Sequence, residues 1–313
     1  MAKKILKQVS LVRDFCRPEI DYTYQKSISY SQTLSYNTCP HQWALKYVKG
    51  LQEYKPSIHT VFGTAVHEVM QEWLTELYDG TVKKSNEMDL GAMLEQKLFD
   101  IYFQEKEKYG KHFSSSEELS EFHNDGVEIL EYVRKKRSVY FGTKYYKLVG
   151  VEIPLIHQIA DNVFFKGYID IVLYDEQDDK YIILDIKTST SGWSAYAKKD
   201  DKKLAQLLLY KEFLARQFNI DVEKVDVKYF IVKRKIPANP EFPAMGRRVQ
   251  EFVPPSGKIK RGQATTALTK FIDDAFDSQG QYIDKEYDKK PSKSNCMFCE
   301  YKGTEHCHAG VLV

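Results

Sequence analysis

The stretch Tyr181-Ile182-Ile183-Leu184-Asp185-Ile186-Lys187 is a run of apolar and β-branched residues that stops on a carboxylate, skips one position and presents a lysine. Such a run reads as a buried strand. A second run, 163–174, carries Gly167 and another acid, Asp170, fifteen positions before Asp185. Between them, Asp175-Glu176-Gln177-Asp178-Asp179 has the composition of a hairpin turn. Two carboxylates on neighbouring strands suit Mg²⁺ or Mn²⁺, which take oxygen ligands, and the lysine then sits beside the attacking water. The stretch points to phosphodiester chemistry.

Working outward, residues 148–156, 225–233 and 248–253 have strand character, and 201–218 and 259–277 read as helices. Upstream, 30–36 and 40–47 are short aromatic-rich helices closed by Gly50. A helix over 64–78 follows Gly63, with Val66, Val69, Met70, Trp73 and Leu77 on one stripe. Two more helices span 88–108 and 116–138, and Ser114-Ser115-Ser116-Glu117-Glu118 supplies a cap. The expected fold class is α/β, a small mixed sheet flanked by helices. It forms a single domain over 1–313, with N-terminal helices at 27–78, a helical insertion at 79–140, the catalytic sheet and helix at 145–253, and a cysteine-rich tail at 290–313.

The bulk properties fit. An apolar content of 42% and an aromatic content of 13% over 313 residues support a sizeable core. A net charge of +2 excludes a uniformly basic nucleic-acid binder, so any such affinity must come from local clusters. The segment Met1 to Gln8 has no apolar stretch of signal-peptide length and no run reaches a membrane span, so the expected compartment is the cytosol, with no membrane partner.

Further candidates lie around the two acids. Gln206 and Tyr210 are four apart on the 201–218 helix and share a face. His67 follows Gly63-Thr64-Ala65-Val66; a lone helical histidine is more often structural than a ligand. Glu152, on the preceding strand, reads as a surface-facing glutamate.

In this order, Ser31-Gln32-Thr33-Leu34 with Cys39-Pro40, Gly63-Thr64-Ala65-Val66-His67-Glu68, Gly167-Tyr168-Ile169-Asp170, Asp185-Ile186-Lys187-Thr188 and Gln206-Leu207-Leu208-Leu209-Tyr210 resemble the PD-(D/E)XK nuclease superfamily in its RecB-type branch. The resemblance implies a restriction-endonuclease-like core, with His67, Asp170, Asp185 and the Ile186 carbonyl holding a metal ion. It implies that Lys187 positions or activates water, and that Gln206 and Tyr210 contact DNA and brace the site. Lys187 either orients hydroxide or stabilises charge at the phosphate.

Cys296-x₂-Cys299-x₇-Cys307 has metal-ligand spacing, and Cys39 is the best fourth ligand, while Cys16 stands apart. The chain is similar here to AddB-like and CRISPR-associated exonucleases, whose one early and three late cysteines hold a 4Fe-4S iron–sulfur cluster. The rival is zinc, with His306 or His308 in place of Cys39, and a third reading leaves the thiols unliganded. Either metal makes the tail a clasp that ties the chain ends together.

Cations mix with aromatics around Lys144-Tyr145-Tyr146-Lys147, Lys228-Tyr229-Phe230 and Lys233-Arg234-Lys235, and Lys258-Ile259-Lys260-Arg261 adds another basic cluster. The loop from Lys233 to Arg248, with five basic residues and three prolines, reads as an extended arm beside the active site. The expected function is a metal-dependent deoxyribonuclease, an exonuclease on single-stranded DNA or free ends, in recombination, repair or replication, with a helicase or recombination protein as partner. The alternatives are a catalytically silent DNA-binding scaffold on the same fold and a structure- or site-specific endonuclease.

Overall fold

The computed structural model describes residues 9–142 and 144–312. Six strands form one mixed sheet: β1 (Lys26–Ile28), β2 (Tyr146–Ala160), β3 (Val163–Asp175), β4 (Lys180–Ser189), β5 (Val225–Lys233) and β6 (Val249–Phe252). The order is β1-β3-β4-β5-β6, with β2 along the other edge of β3. β1 runs parallel to β3 and β4 parallel to β5; the remaining pairs are antiparallel. The β3–β4 hairpin closes as its acidic turn anticipates, with Asp175 Oδ1 accepting from the Gln177 amide at 2.9 Å.

Helices cover both faces. On one side lie α1 (Tyr30–Thr38), α2 (Pro40–Trp43), α8 (Asp201–Gln217) and α9 (Lys258–Ala275), packed on Phe165, Ile169, Ile183 and Tyr229. On the other lie α3 (Ile58–Asp79), α5 (Leu90–Tyr109) and α6 (Ser116–Lys135), packed on Ile171, Leu184, Ile186 and Phe230. The short helices α4 (Val82–Glu87) and α7 (Arg137–Tyr140) complete the second layer, and α10 (Lys293–Cys296) lies in the tail.

β3 is the axle of the sheet, and its pairing explains where a cleft opens. Along the edge opposite β2, Val163–Phe165 pair with β1 and Ile171–Asp175 pair with β4. Residues 166–170 lie between these two ladders. Past Leu184, β4 leaves β3 and follows β5 as far as Ser189. The two strands therefore fork at Asp170 and Asp185. The alternation of faces also breaks there: Phe165 and Ile169 enter one core, whereas Ile171 and Leu173 enter the other. Glu152 falls opposite Asp170, between the pairs Val151↔Ile171 and Ile153↔Ile169, and its φ is +48°. A non-glycine residue in that region twists the strand locally and is uncommon in a ladder.

Four elements differ from the sequence reading. The third helix starts at Ile58 rather than after Gly63. Ser57 caps it by accepting from the His59 amide, and Ile58, Val61 and Phe62 extend its apolar stripe backwards. Gly63 lies inside the helix because a Cβ there would sit 3.2 Å from Thr188 Oγ1. β1 and α4 are additional elements, too short to leave a period in the sequence. The Lys233–Arg248 segment is not a free arm. Arg234 bonds Asp125 (2.7 Å) and Glu121 (3.0 Å), Lys235 pairs with the same two acids, and Arg248 pairs with Glu128. The Lys233 amine is buried and donates to the Met245 carbonyl at 2.9 Å. These cations clamp the segment to α6.

Candidate active site

The fork gathers the sequence-predicted residues from three elements. Asp185 and Lys187 are two apart on β4 and so share a face; Lys187 Nζ lies 2.7 Å from Asp185 Oδ2. Asp170, at the end of its ladder with β4, turns its Oδ2 to the Ile186 amide, which donates at 2.7 Å. His67 approaches from α3, with Nδ1 at 3.6 Å from the same Asp170 oxygen. The Ile186 side chain is fully buried, so only its backbone takes part.

Electrostatics follow from burial. Asp185 is 1% exposed. Removal from water pushes the carboxyl groups of Asp170 and Asp185 up to about 6, against the pull of the Lys187 ammonium. Removal from water, helped by Lys187, pushes His67 down to about 4. All three groups are thus short of their favoured counter-charge, and a cation brought among them would favour both carboxylates and the neutral imidazole. Asp185 Oδ2 is buried and, although Lys187 is near, has no aligned hydrogen bond. An orphaned carboxylate oxygen beside a second acid and an imidazole fits a small divalent cation with oxygen preference.

An open cleft of about 590 Å³ runs along α3 past these groups, bordered by Gly63, His67, Gln71, Glu152, Lys187 and Thr188. Glu152 borders this cleft as well, and it is exposed, as the surface-facing position expected for it requires. Gln71 Nε2 donates to Glu152 Oε1 at 2.5 Å and to the Asp170 carbonyl at 3.2 Å, tying α3 to the twisted part of β2 and β3. Gln71 was missed from the sequence, though it stands four residues after His67 and shares its helix face. Across the fork, Gln206 Nε2 donates to Tyr210 Oη at 3.3 Å. The Tyr210 ring rests on Gly167, where a Cβ would fall 3.0 Å from the ring edge. Its hydroxyl is held protonated by burial and by the nearby Asp185 and Asp170.

Residues 27–304 match the PD-(D/E)XK nuclease superfamily. The chain belongs to this superfamily. No curated protein matches it. The matched residues include both strands of the fork, the His67 helix, Cys39, Cys296 and Cys299, and stop before Cys307.

The four cysteines of the expected set converge. Cys39, Cys296, Cys299 and Cys307 border one small pocket, and Cys16 is exposed elsewhere. The tail is sewn to the N-terminal helices by Asn295 Nδ2 donating to the Thr38 carbonyl (3.1 Å) and by the His41 ring at 3.0 Å from the His306 carbonyl. Burial pushes the Cys299 thiol up, with the other three sulfurs adding to the shift. Among the described residues, no three or more His, Cys, Asp or Glu side chains are drawn closely enough together to hold a metal ion as they stand.

Many cations of the expected nucleic-acid clusters are spent on internal pairing, although Lys144 lies over the exposed Tyr145 ring without a carboxylate partner among the described residues. Lys147 pairs with Glu176, Lys228 with Glu251, Lys260 with Asp201, and Arg261 with Glu212 and Glu223. Tyr229 and Phe230 are buried in the two cores. No helix among the described residues is long and apolar enough to cross a membrane.

Proposed function

We propose that this superfamily member is a divalent-metal-dependent deoxyribonuclease of the RecB type. The observation that supports the reading is the fork, where Lys187 lies beside Asp185 and His67 beside Asp170, with His67 and Lys187 bordering the open cleft. His67, Asp170, Asp185 and the Ile186 carbonyl would hold Mg²⁺ or Mn²⁺; the ion supplies charge neutralisation at phosphate and a more acidic water. Lys187, on the open side of Asp185, orients the nucleophile or meets charge building on the scissile phosphate. Gln71 fixes the Asp170 backbone, and the Gln206–Tyr210 pair braces the opposite wall. The reading takes the activity as exonucleolytic, on single strands or free ends, in a cytoplasmic protein of recombination, repair or replication that works beside a helicase or recombination partner.

The cysteine pocket is read as a structural clasp around a 4Fe-4S cluster, as in AddB-like nucleases, with zinc as the rival occupant. Four thiols bordering one pocket and a tail bonded to α1 and α2 support it.

A second reading, a nucleic-acid-binding scaffold that keeps the fold without the chemistry, is favoured by one observation. The ligand side chains are not gathered around a common point, and Lys187 holds Asp185 in an ion pair. Cleavage of labelled single- and double-stranded DNA in Mg²⁺ or Mn²⁺ separates the readings. Activity that disappears in Asp185→Asn and Lys187→Ala supports the nuclease. DNA binding without cleavage under either metal supports the scaffold. Covalently closed circles then divide an exonuclease, which leaves them intact, from an endonuclease.

A further inference from the structure

Several cations of the basic clusters are neutralised by acids, whereas Arg17 and Lys166, near the fork, lie instead against tyrosine rings. Along the stretch of β3 between its two ladders, Lys166, Tyr168 and Asp170 point to the same face, about 7 Å apart in succession. Phe165 and Ile169 point the other way, into the core. The outward face is open, and Tyr168 is 42% exposed.

The N-terminal segment lays two more groups over this face. The Arg17 guanidinium stands 5.6 Å from the centre of the Tyr168 ring. Lys166 Nζ stands 6.0 Å from the centre of the Tyr22 ring and 3.4 Å from its hydroxyl. Tyr22 is 54% exposed. Among the described residues neither cation is in an ion pair with a carboxylate; Arg17 Nη1 is buried without an acceptor, so phosphate would meet the remaining edge of the half-buried guanidinium.

We infer that Arg17, Tyr22, Lys166 and Tyr168 form a track for single-stranded nucleic acid that leads along β3 to Asp170. Unpaired bases stack on the two tyrosine rings while the two cations take the backbone phosphates. A duplex does not fit this chemistry, because its base faces are covered by their own neighbours. The inference rests on the nuclease-fold reading above for its direction, since the track ends at the acid pair, but not on catalysis.

The test is fluorescence anisotropy of a labelled oligothymidylate with the full chain in EDTA, where no cleavage can occur. Tyr168→Ala should weaken binding about tenfold or more. Arg17→Gln and Lys166→Gln should each weaken it a few fold and reduce the steepness of its salt dependence. Phe103→Ala is the control, since Phe103 is an exposed ring under a lysine on α5, remote from the sheet. Thermal melting of each variant separates lost binding from lost folding, and half-buried Lys166, which lies outside both cores, gives a variant that keeps the core intact. Wild-type affinity in folded Tyr168→Ala and Lys166→Gln overturns the track, as does an equal loss in Phe103→Ala. Tighter binding of a matched duplex than of the single strand also overturns it. Because the assay contains no metal, wild-type cleavage with unchanged variant binding defeats the track alone. Track-dependent binding with no cleavage in Mn²⁺ defeats the nuclease reading alone.

Discussion

The fork in the sheet and the cysteine pocket both collect polar groups from distant parts of the chain, but they hold them by different means. At the fork, each group is fixed by regular structure: Asp185 and Lys187 by β4, Asp170 by its bond to the Ile186 amide, His67 by a 22-residue helix. At the pocket, Cys299 and Cys307 sit in turns, Cys296 ends a four-residue helix and Cys39 caps another. The lesson is that the fork keeps its shape through the hydrogen-bonded ladder, whereas the pocket is held by a few loop contacts such as Asn295 to Thr38 and would be stiffened by any ion its thiols take up. Changes at the fork should therefore alter chemistry with little effect on folding, and changes at the pocket should do the reverse.

The largest expected effect follows directly. Asp185→Asn should lower DNA cleavage about 10³-fold, on the scale of losing several kcal/mol of charge stabilisation. Its melting temperature should stay level or rise, because a buried, poorly paired carboxylate becomes neutral. A large fall in melting temperature would break the contrast. Next, if the pocket takes up iron or zinc as proposed, Cys299→Ser should abolish that uptake and lower the melting temperature by about 10 °C, since ligand binding there counts as folding energy. Cys16→Ser should change neither metal content nor melting. Equal melting of Cys299→Ser and wild type would show that the pocket needs no filling.

A pH series sharpens the fork's side. Its carboxyl groups are held above their ordinary range, to about 6, so protons compete with the cation up to that pH. His67, pushed down to about 4, is already neutral there and adds no competition. Affinity for Mn²⁺ should therefore rise as pH climbs through about 6 and flatten above it, by about tenfold per pH unit for each acid that must ionise. Affinity independent of pH across that range would remove the acids from the ligand set. Smaller still, Gly167→Ala forces a methyl group against Tyr210 and should cost about 1–3 kcal/mol in a denaturation titration. Smallest is Lys147→Ala, which breaks a surface pair with Glu176 and should change stability by under about 1 kcal/mol and leave DNA affinity unchanged.

What could be read from the sequence was local. The strands and helices around Asp170, Asp185, Gln206 and Tyr210 have clear periods, and the acid pair is anchored by a hairpin whose turn residues announce it. The surface facing of Glu152 was legible, but its place beside the cleft was not, because that depends on a backbone twist at the residue and on Gln71 from a distant helix. The basic clusters misled for a similar reason. The acids that neutralise Arg234 and Lys235 come from α6, 109 and 110 positions earlier in the chain, and no local pattern announces them. The Arg17–Tyr168 pair escaped notice because its members are single residues from separate segments, joined only when the N-terminal stretch lies over β3.

The central claim is that His67, Asp170 and Asp185 serve one divalent cation at the fork. Electron paramagnetic resonance of added Mn²⁺ counts free ion directly. The account predicts one bound Mn²⁺ per chain near neutral pH, lost in both Asp170→Asn and Asp185→Asn and retained in Cys299→Ser. Mn²⁺ that stays entirely free with the wild-type chain, or that binds as well to the two Asp variants, would contradict it.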